Sequence, residues 1–399
     1  MKRVVCVLFM FVPFWLKAQG VIKENLNAPF ECSIKPHLYS KSFKVADKVG
    51  NVVKVTCKAG KVLLEKHNLN AVEKTVSHVY LDFPPKSKFY RCITVGEKYY
   101  CLFRSKKWNE KSLYLRELNL KTATFMDAKL LLKTKSKTDQ YDFTFSADSS
   151  KLLIKYKINQ IGSYDSIIHD KYGLFVFDTN MNLLNGSELE MPYNILEMTN
   201  FTFTVSNKGL IHVLYFVHDT KRLEFSSIDH LSKWNRKVIQ GLDSMFYRDF
   251  VLRENADGNF LGLSFYENGD EYHQDRNMDV FLNANGVLRI IVSPNGTLLA
   301  KNCYPFPSNL CSQAVAEKAV RKNADGKVDE PGILGLRLIA MNLTKNGELL
   351  IVGEPQNEIC VFVGKYASYQ YLFGDLVAVN INAQGKLLNM FNVINVKDK

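Results

Sequence analysis

Carboxylates and histidines gather at two places in the chain where residue type and spacing allow chemistry. The stretch YENGDEYHQDRNMD carries Glu267, Asp270, Glu271, His273, Asp275 and Asp279, and GSYDSIIHDKYG carries Asp165, His169 and Asp170. Oxygens converging from neighbouring loops can hold a hard cation, and two carboxylates at a suitable separation can hydrolyse a glycoside. Neither stretch has a spacing that marks an acid and its partner. A third segment, YASYQYLF, places Tyr366, Tyr369 and Tyr371 where rings with polar tips can stack on a sugar or anchor a peptide. Solvated carboxylates, and tyrosines packed along a strand, are the plainer alternatives at all three places.

Sharper motifs fail on inspection. The stretches NADGNF at 255–260 and NADGKVDE at 323–330 would put Gly258 or Gly326 sixth in an EF-hand loop, but position one is then Arg253 or Arg321 and the twelfth Ser264 or Gly332. No Gly-x-Ser-x-Gly elbow, His-Glu-x-x-His helix or phosphate-binding glycine loop is present. Whether the chain is an enzyme stays open; no cofactor and no metal site is expected.

Charge is unevenly divided. Residues 35–140 hold 23 Lys+Arg against 9 Asp+Glu, whereas residues 141–399 hold 25 against 29. Twenty of the 23 are lysines spread singly along strand-like segments, not clustered with aromatics as in a nucleic-acid groove, so no nucleic-acid partner is expected. A weak attraction of residues 35–140 to anionic surfaces is the alternative to plainly solvated strand faces.

The chain opens with Lys2-Arg3, an apolar run from Val4 to Leu16, and Ala18-Gln19, the pattern of a secretory leader. Pro13 interrupts the run, which falls short of the roughly 18 residues a membrane span needs. Cleavage after Ala18 leaves Gln19 first, not the Cys a lipid anchor requires. The expectation is a leader at 1–18, a lead-in at 19–40, one β domain at 41–394 and a tail at 395–399. That protein is exported, periplasmic or extracellular, with no transmembrane segment in its mature chain.

Beyond the leader stand seven cysteines: Cys32, Cys57, Cys92, Cys101, Cys303, Cys311 and Cys360. An exported chain can oxidise them, and the odd count leaves at least one unpaired. Within CITVGEKYYC, a two-residue turn at Gly96-Glu97 sets Val95 opposite Lys98 and, three pairs on, Cys92 opposite Cys101. Alternation makes that fourth pair non-hydrogen-bonded, with Cα atoms about 4.5 Å apart, inside the disulfide range. A Cys92–Cys101 bridge is expected.

What positions these residues is a repeat. An alternating apolar run, a tight polar turn and a second apolar run recur at 43–55, 90–103, 143–156, 201–215, 250–265 and 338–352. Gly50-Asn51 and Gly96-Glu97 suit type II′ turns, Asp257-Gly258 and Asn346-Gly347 type I′. A second hairpin alternates with the first, at 61–76, 112–125, 174–186, 222–239, 287–301 and 375–389. Two hairpins make a four-stranded unit with two faces to bury, so repeats must pack face to face. Closing them in a ring leaves only short edges, which predicts an all-β, six-bladed β-propeller of antiparallel blades.

Phe145-Ser146-Ala147-Asp148 followed by Lys151-Leu152-Leu153-Ile154 resembles the Phe-Ser-Pro-Asp-Gly turn of TolB-like six-bladed propellers, and Val292-Ser293-Pro294-Asn295-Gly296 is similar to it. The resemblance implies a fold and a bacterial-envelope setting, and carries over no functional residue.

In a blade whose strands run A to D, the A–B and C–D turns share one face of the ring, and here they are all tight. The other face receives the long insertions at 157–172, 266–285, 305–334 and 355–373, where recognition usually resides. One short helix is expected in NLCSQAVAEKAVRKN, with Ser308 or Asn309 as cap. The expected function is an exported binding or assembly module of the bacterial envelope. Its partner is an envelope protein or glycan, contacted through Asp165, His169, Asp170, Glu267, Asp270, Glu271, His273, Asp275, Tyr366 and Tyr369. The alternative is a glycan-active hydrolase with carboxylates at the channel mouth.

Overall fold

The computed structural model describes residues 41–46, 51–58, 61–68, 74–80, 87–107, 110–134, 140–158, 168–194, 196–229, 233–242, 245–268, 283–314, 332–344, 347–363 and 366–393. Among them the chain is all-β apart from one short helix, and it divides into two compact units, Met1–Lys137 and Thr138–Lys399.

The first unit contains two antiparallel sheets. The first orders β1 (Lys41–Ala46), β2 (Asn51–Lys58), β3 (Lys61–Asn68) and β4 (Lys74–Tyr80). The second orders β5 (Lys88–Val95), β6 (Lys98–Lys107) and β7 (Glu110–Asn119), whose far edge is shared by β8 (Thr124–Phe125) and β9 (Lys129–Thr134). Between the sheets lie Val53, Val55, Leu64, Phe89 and Phe103, all buried.

Four further sheets make up the second unit. The third holds β10 (Asp142–Phe145), β11 (Lys151–Ile158), β12 (His169–Asp178) and β13 (Leu183–Asn194), and the fourth β14 (Met198–Val205), β15 (Ile211–Val217), β16 (Arg222–Ile228) and β17 (Trp234–Val238). The fifth is β18 (Met245–Glu254), β19 (Phe260–Asn268), β21 (Gly286–Val292) and β22 (Leu298–Pro305), with β20 (Asn283–Ala284) lying outside it. After helix α1 (Ser308–Ala314) and β23 (Ile333–Leu334) comes the sixth sheet: β24 (Leu336–Leu343), β25 (Leu349–Val363), β27 (Leu376–Ile381) and β28 (Leu387–Val393). The hairpins read from the sequence are the hairpins of these sheets.

Burial follows strand position. In the fourth sheet β15 is buried along its whole length, because the third and fifth sheets cover its two faces, whereas β17 is mostly exposed. The β15 sequence IHVLYFV is accordingly apolar throughout except for His212, not alternating. Phe203, Val213 and Tyr215 pack toward Leu153 and Val176 of the third sheet. Leu214, Phe216 and Phe225 pack toward Phe250, Phe260 and Phe265 of the fifth, and Ile351 and Val379 continue that core into the sixth. First strands of successive sheets are neighbours, β10 beside β14, β14 beside β18, and β18 beside β24.

Most turns share one chemistry that differs from the sequence expectation. At Asp178, Ser206, Asn255, Ser293, Thr344 and Asn382 the side-chain oxygen accepts the backbone N–H four residues on. The residue three positions on has positive φ: Met181, Gly209, Gly258, Gly296, Gly347 and Gly385. This is a three-residue loop ending in a left-handed residue. Asp257 keeps negative φ, so its turn is not type I′. Gly96, at φ 61, is the type II′ glycine expected. The pairing Ala46↔Val52 rules out a two-residue turn at Gly50-Asn51, which would place Val49 opposite Val52.

Three first strands bulge at one place. The ladder slips between Asn200 and Thr202, between Arg248 and Val251, and between Leu338 and Ala340, so Phe201, Phe250 and Ile339 each stand four residues before the last residue of their strand. A bulge bends the strand and steepens its twist. Asp249, in the second of these, has φ 54.

Candidate functional site

The tight turns of the third to fifth sheets lie together. Asp148 N–H donates to Asn207 Oδ1 at 3.1 Å, and Asn207 N–H donates to the Glu254 carboxylate. Antiparallel alternation sends the β11–β12, β19–β21 and β25–β27 connections, and the crossings between sheets, to the opposite end. Every long insertion of the second unit therefore leaves from that end.

Three of the insertions rise from one small patch. Asn283 and Ala284 pair with Leu334 and Ile333, which ties the insertion at 269–282 to the connection at 306–335. Glu267 Oε2 accepts Asn283 N–H at 2.9 Å, Asn285 N–H donates to Tyr266 O at 2.8 Å, and Asn285 Oδ1 accepts Asn268 N–H at 2.8 Å. Phe306 N–H donates to Asn285 O at 2.7 Å, so that connection also begins beside the first insertion. Gln356 N–H donates to Gly335 O at 2.9 Å, which brings in the third. Ala284, Phe306, Leu310, Cys311 and Ile333 are buried in the core beneath.

The insertion at 355–373 is no irregular loop. β25 continues to Val363 and turns back as β26 (Tyr366–Phe373), pairing Gln356 with Phe373 through to Val363 with Tyr366. Tyr369 stands opposite Cys360 on this arm. The run of β-branched and aromatic residues in ICVFV and YASYQYLF is what favours strand there. Helix α1 begins at Ser308, and the Pro307 carbonyl accepts Leu310 and Cys311 N–H at 2.9 and 3.2 Å, so Ser308 and Asn309 lie inside the helix instead of capping it.

His169 and Asp170 fall on β12, not in a loop. Asp170 Oδ1 lies 2.6 Å from Lys157 Nζ, and its Oδ2 accepts the Tyr172 hydroxyl at 3.2 Å; His169 Nδ1 is 2.9 Å from Met191 O. Both are engaged within the third sheet. Glu267, next to last on β19, fastens the base of its insertion. Asp165, Asp270, Glu271, His273 and Asp275 lie outside the described residues, and Tyr366 and Tyr369 are placed on their strand by backbone alone. Among the described residues no group of three or more His, Cys, Asp or Glu is arranged to hold a metal ion. None of their helices is long and apolar enough to cross a membrane.

Sequence reasoning missed two polar clusters. Glu224, 7% exposed, accepts the hydroxyls of Tyr193 at 2.9 Å and Tyr215 at 2.8 Å, and Ser226 Oγ lies 3.0 Å from Tyr215. Burial pushes the Tyr215 hydroxyl well above the ordinary tyrosine range, so it stays a donor. Asp249 binds Arg337 through both carboxylate oxygens. Tyr193 and Arg337 reach these carboxylates from a neighbouring sheet, and no local spacing announces that.

No family model matches the chain, and no curated protein matches it. Among solved structures it is similar to the mannosyltransferase MPT-1 from Leishmania mexicana at 12% identity and TM-score 0.35, covering 77% of this chain and 90% of that one. It is also similar to a puromycin hydrolase at 9% identity and TM-score 0.42, over 89% of this chain and 46% of that one. A third likeness is to the Dos1 propeller, at 11% identity and TM-score 0.35, over 77% and 64%. The chain thus spans under half of the puromycin hydrolase structure. TM-scores this low carry no argument about activity.

Proposed function

We propose that this chain is an exported binding or assembly module of the bacterial envelope, a six-bladed β-propeller whose contact surface is the end that bears the insertions. The observation that carries the reading is the shared base formed by Asn283–Leu334 pairing, the Glu267–Asn283 contact and the Gln356–Gly335 contact. The bases of three long insertions meet there, and long connections on a packed scaffold are where recognition concentrates. Six consecutive antiparallel sheets, with the first strands of the third to sixth neighbouring one another, support a propeller reading.

The partner class is an envelope protein or glycan. The acidic stretch from Glu267 to Asp279 and the tyrosines of the β25–β26 arm supply charge and aromatic contact. A glycan hydrolase is the weaker reading, since Asp170, Glu224, Glu267 and Asp249 are all occupied by internal partners.

The test is capture. The chain from Gln19, immobilised and exposed to a solubilised envelope fraction, retains a saturable protein or glycan that free chain displaces. Retention that free chain does not displace, or turnover of a glycan library by the purified chain, contradicts the proposal.

A further inference from the structure

Cys92 on β5 and Cys101 on β6 are directly opposed, in the register Val95↔Lys98, Thr94↔Tyr99, Ile93↔Tyr100, Cys92↔Cys101. Counting from the turn-closing pair, this is a non-hydrogen-bonded position, where side chains on antiparallel strands come closest. Their sulfurs are 3.0 Å apart. Cys101 is 1% exposed and Cys92 is half-buried, so one thiol can be reached from solvent and the other only through it. Cys92, Cys101, Cys303 and Cys311 are all free thiols in this structure, and burial pushes the Cys303 and Cys311 thiols above the ordinary range.

We propose that Cys92 and Cys101 form a cross-strand disulfide by exchange with a small-molecule or protein disulfide, and that the pair is the redox-responsive element of the first unit. With oxidised glutathione the steps balance. The Cys92 thiolate attacks one glutathione sulfur, forming a mixed disulfide and releasing glutathione thiolate. The Cys101 thiolate then attacks Cys92 Sγ, closing the protein disulfide and releasing the second thiolate. Two protons leave the protein thiols and end on the two glutathiones, and the two electrons go with them. Moving from the present separation to a bond of about 2.05 Å needs only small side-chain rotations. The closed loop tethers the hairpin whose Cys101 and Phe103 pack against Val53 and Val55, so oxidation stabilises the seam between the first two sheets. The inference does not depend on export, because the exchange is tested in defined buffers.

Full chain reduced and then equilibrated with glutathione at a range of oxidised-to-reduced ratios is alkylated, digested and mapped by mass spectrometry. A peptide linking Cys92 to Cys101 is expected, together with a thermal midpoint about 5 °C above that of the reduced chain. The Cys92→Ser/Cys101→Ser double variant should lose the redox-dependent difference. The single variant Cys101→Ser should trap glutathione on Cys92. Recovery of both cysteines alkylated at every ratio, linkage of either to Cys57 or Cys303, or a midpoint shift that survives in the double variant overturns the proposal.

Discussion

Arg337 donates to both carboxylate oxygens of Asp249, from Nε at 2.7 Å and from Nη2 at 3.0 Å, and Leu338 N–H adds a third hydrogen bond to the same group at 3.1 Å. The pair joins the first strands of the fifth and sixth sheets at the bulge of β18. Asp249 holds φ 54 to make it, a conformation that costs most residues about 1 kcal/mol. Arg337 is 41% exposed, so solvent screening limits the ionic part. Asp249→Ala should therefore cost about 2 kcal/mol, Arg337→Ala about 1, and Asp249→Gly less than Asp249→Ala because glycine relieves the backbone. Urea unfolding of the three variants decides this, and equal losses for Gly and Ala would show that the conformation carries no strain.

Acid should unfold the protein partly through His212. The ring is 1% exposed, stacked on Phe225 and against Phe260 with centroids 5.3 and 4.3 Å away, and Nδ1 has no hydrogen-bond partner. Burial lowers its pKa to about 4 from the unfolded value of 6.5. The native ring stays neutral while the unfolded ring takes up a proton, so stability is intact above pH 6.5 and is lost as pH falls toward 4. The loss from this group reaches about 3 kcal/mol at most. His212→Leu should flatten the decline of urea midpoint between pH 7 and 4.5 relative to the native chain. A decline of unchanged slope would mean that other groups account for it.

The repeated turn predicts opposite effects at equivalent places. Ser149 has φ 59 at the β10–β11 turn, at a position where five of the six turns named above place glycine, and Ser149→Gly should stabilise by about 0.5 kcal/mol. Gly385 has φ 79, and a Cβ there would sit 2.7 Å from Arg289 Nη1, beneath the carbonyl that accepts the Tyr304 hydroxyl. Gly385→Ala should cost about 2 kcal/mol. Thermal midpoints moving in the same direction for both would contradict the turn assignment.

Much of this fold is legible in the sequence, and the reasons are local. Hairpins such as 201–215 announce themselves because an alternating first strand and a polar-x-x-Gly turn lie within a few residues of each other. Turn type is less legible: Asp257-Gly258 fits both a two-residue and a three-residue loop until the pairing Glu254↔Phe260 is known. The bulge at Asp249 needs the partner strand's register, and the Glu224 cluster needs two sheets in contact. His169 and Asp170 read as loop because polar residues continue past the end of β11, yet both lie on β12, where Met191 O partners His169 and Lys157 partners Asp170. The β25–β26 arm reads as loop in the sequence because a four-stranded unit leaves no place for a fifth strand.

Residues 35–140 should bind anionic lipid vesicles weakly and only at low salt. Several of their lysines are already paired, Lys54 with Glu65 at 3.2 Å, Lys98 with Glu117 at 3.5 Å and Lys133 with Glu110 at 2.9 Å, which leaves a diffuse excess. Exposed charges are screened over about 8 Å at physiological ionic strength. Co-sedimentation with vesicles containing phosphatidylglycerol should fall steeply between 20 and 150 mM salt, roughly one Debye-length regime to the next. Salt-independent sedimentation would point to an apolar contact, and none at any salt to simple solvation.

The central claim is that the insertion-bearing end makes the contact, and a comparison of two ends of the same molecule tests it most directly. One variant carries Asp270→Lys, Glu271→Lys and Asp275→Lys in the insertion that rises from Glu267 and Asn283. The other carries Lys208→Glu and Lys386→Glu in exposed tight turns of the opposite end. Affinity for the captured envelope partner is measured for each beside its thermal midpoint. The account predicts at least about a tenfold loss for the first variant, equivalent to 1.4 kcal/mol, with both midpoints unchanged and the second variant binding as the native chain does. Full binding by the first variant and lost binding by the second would place the contact on the tight-turn end and contradict it.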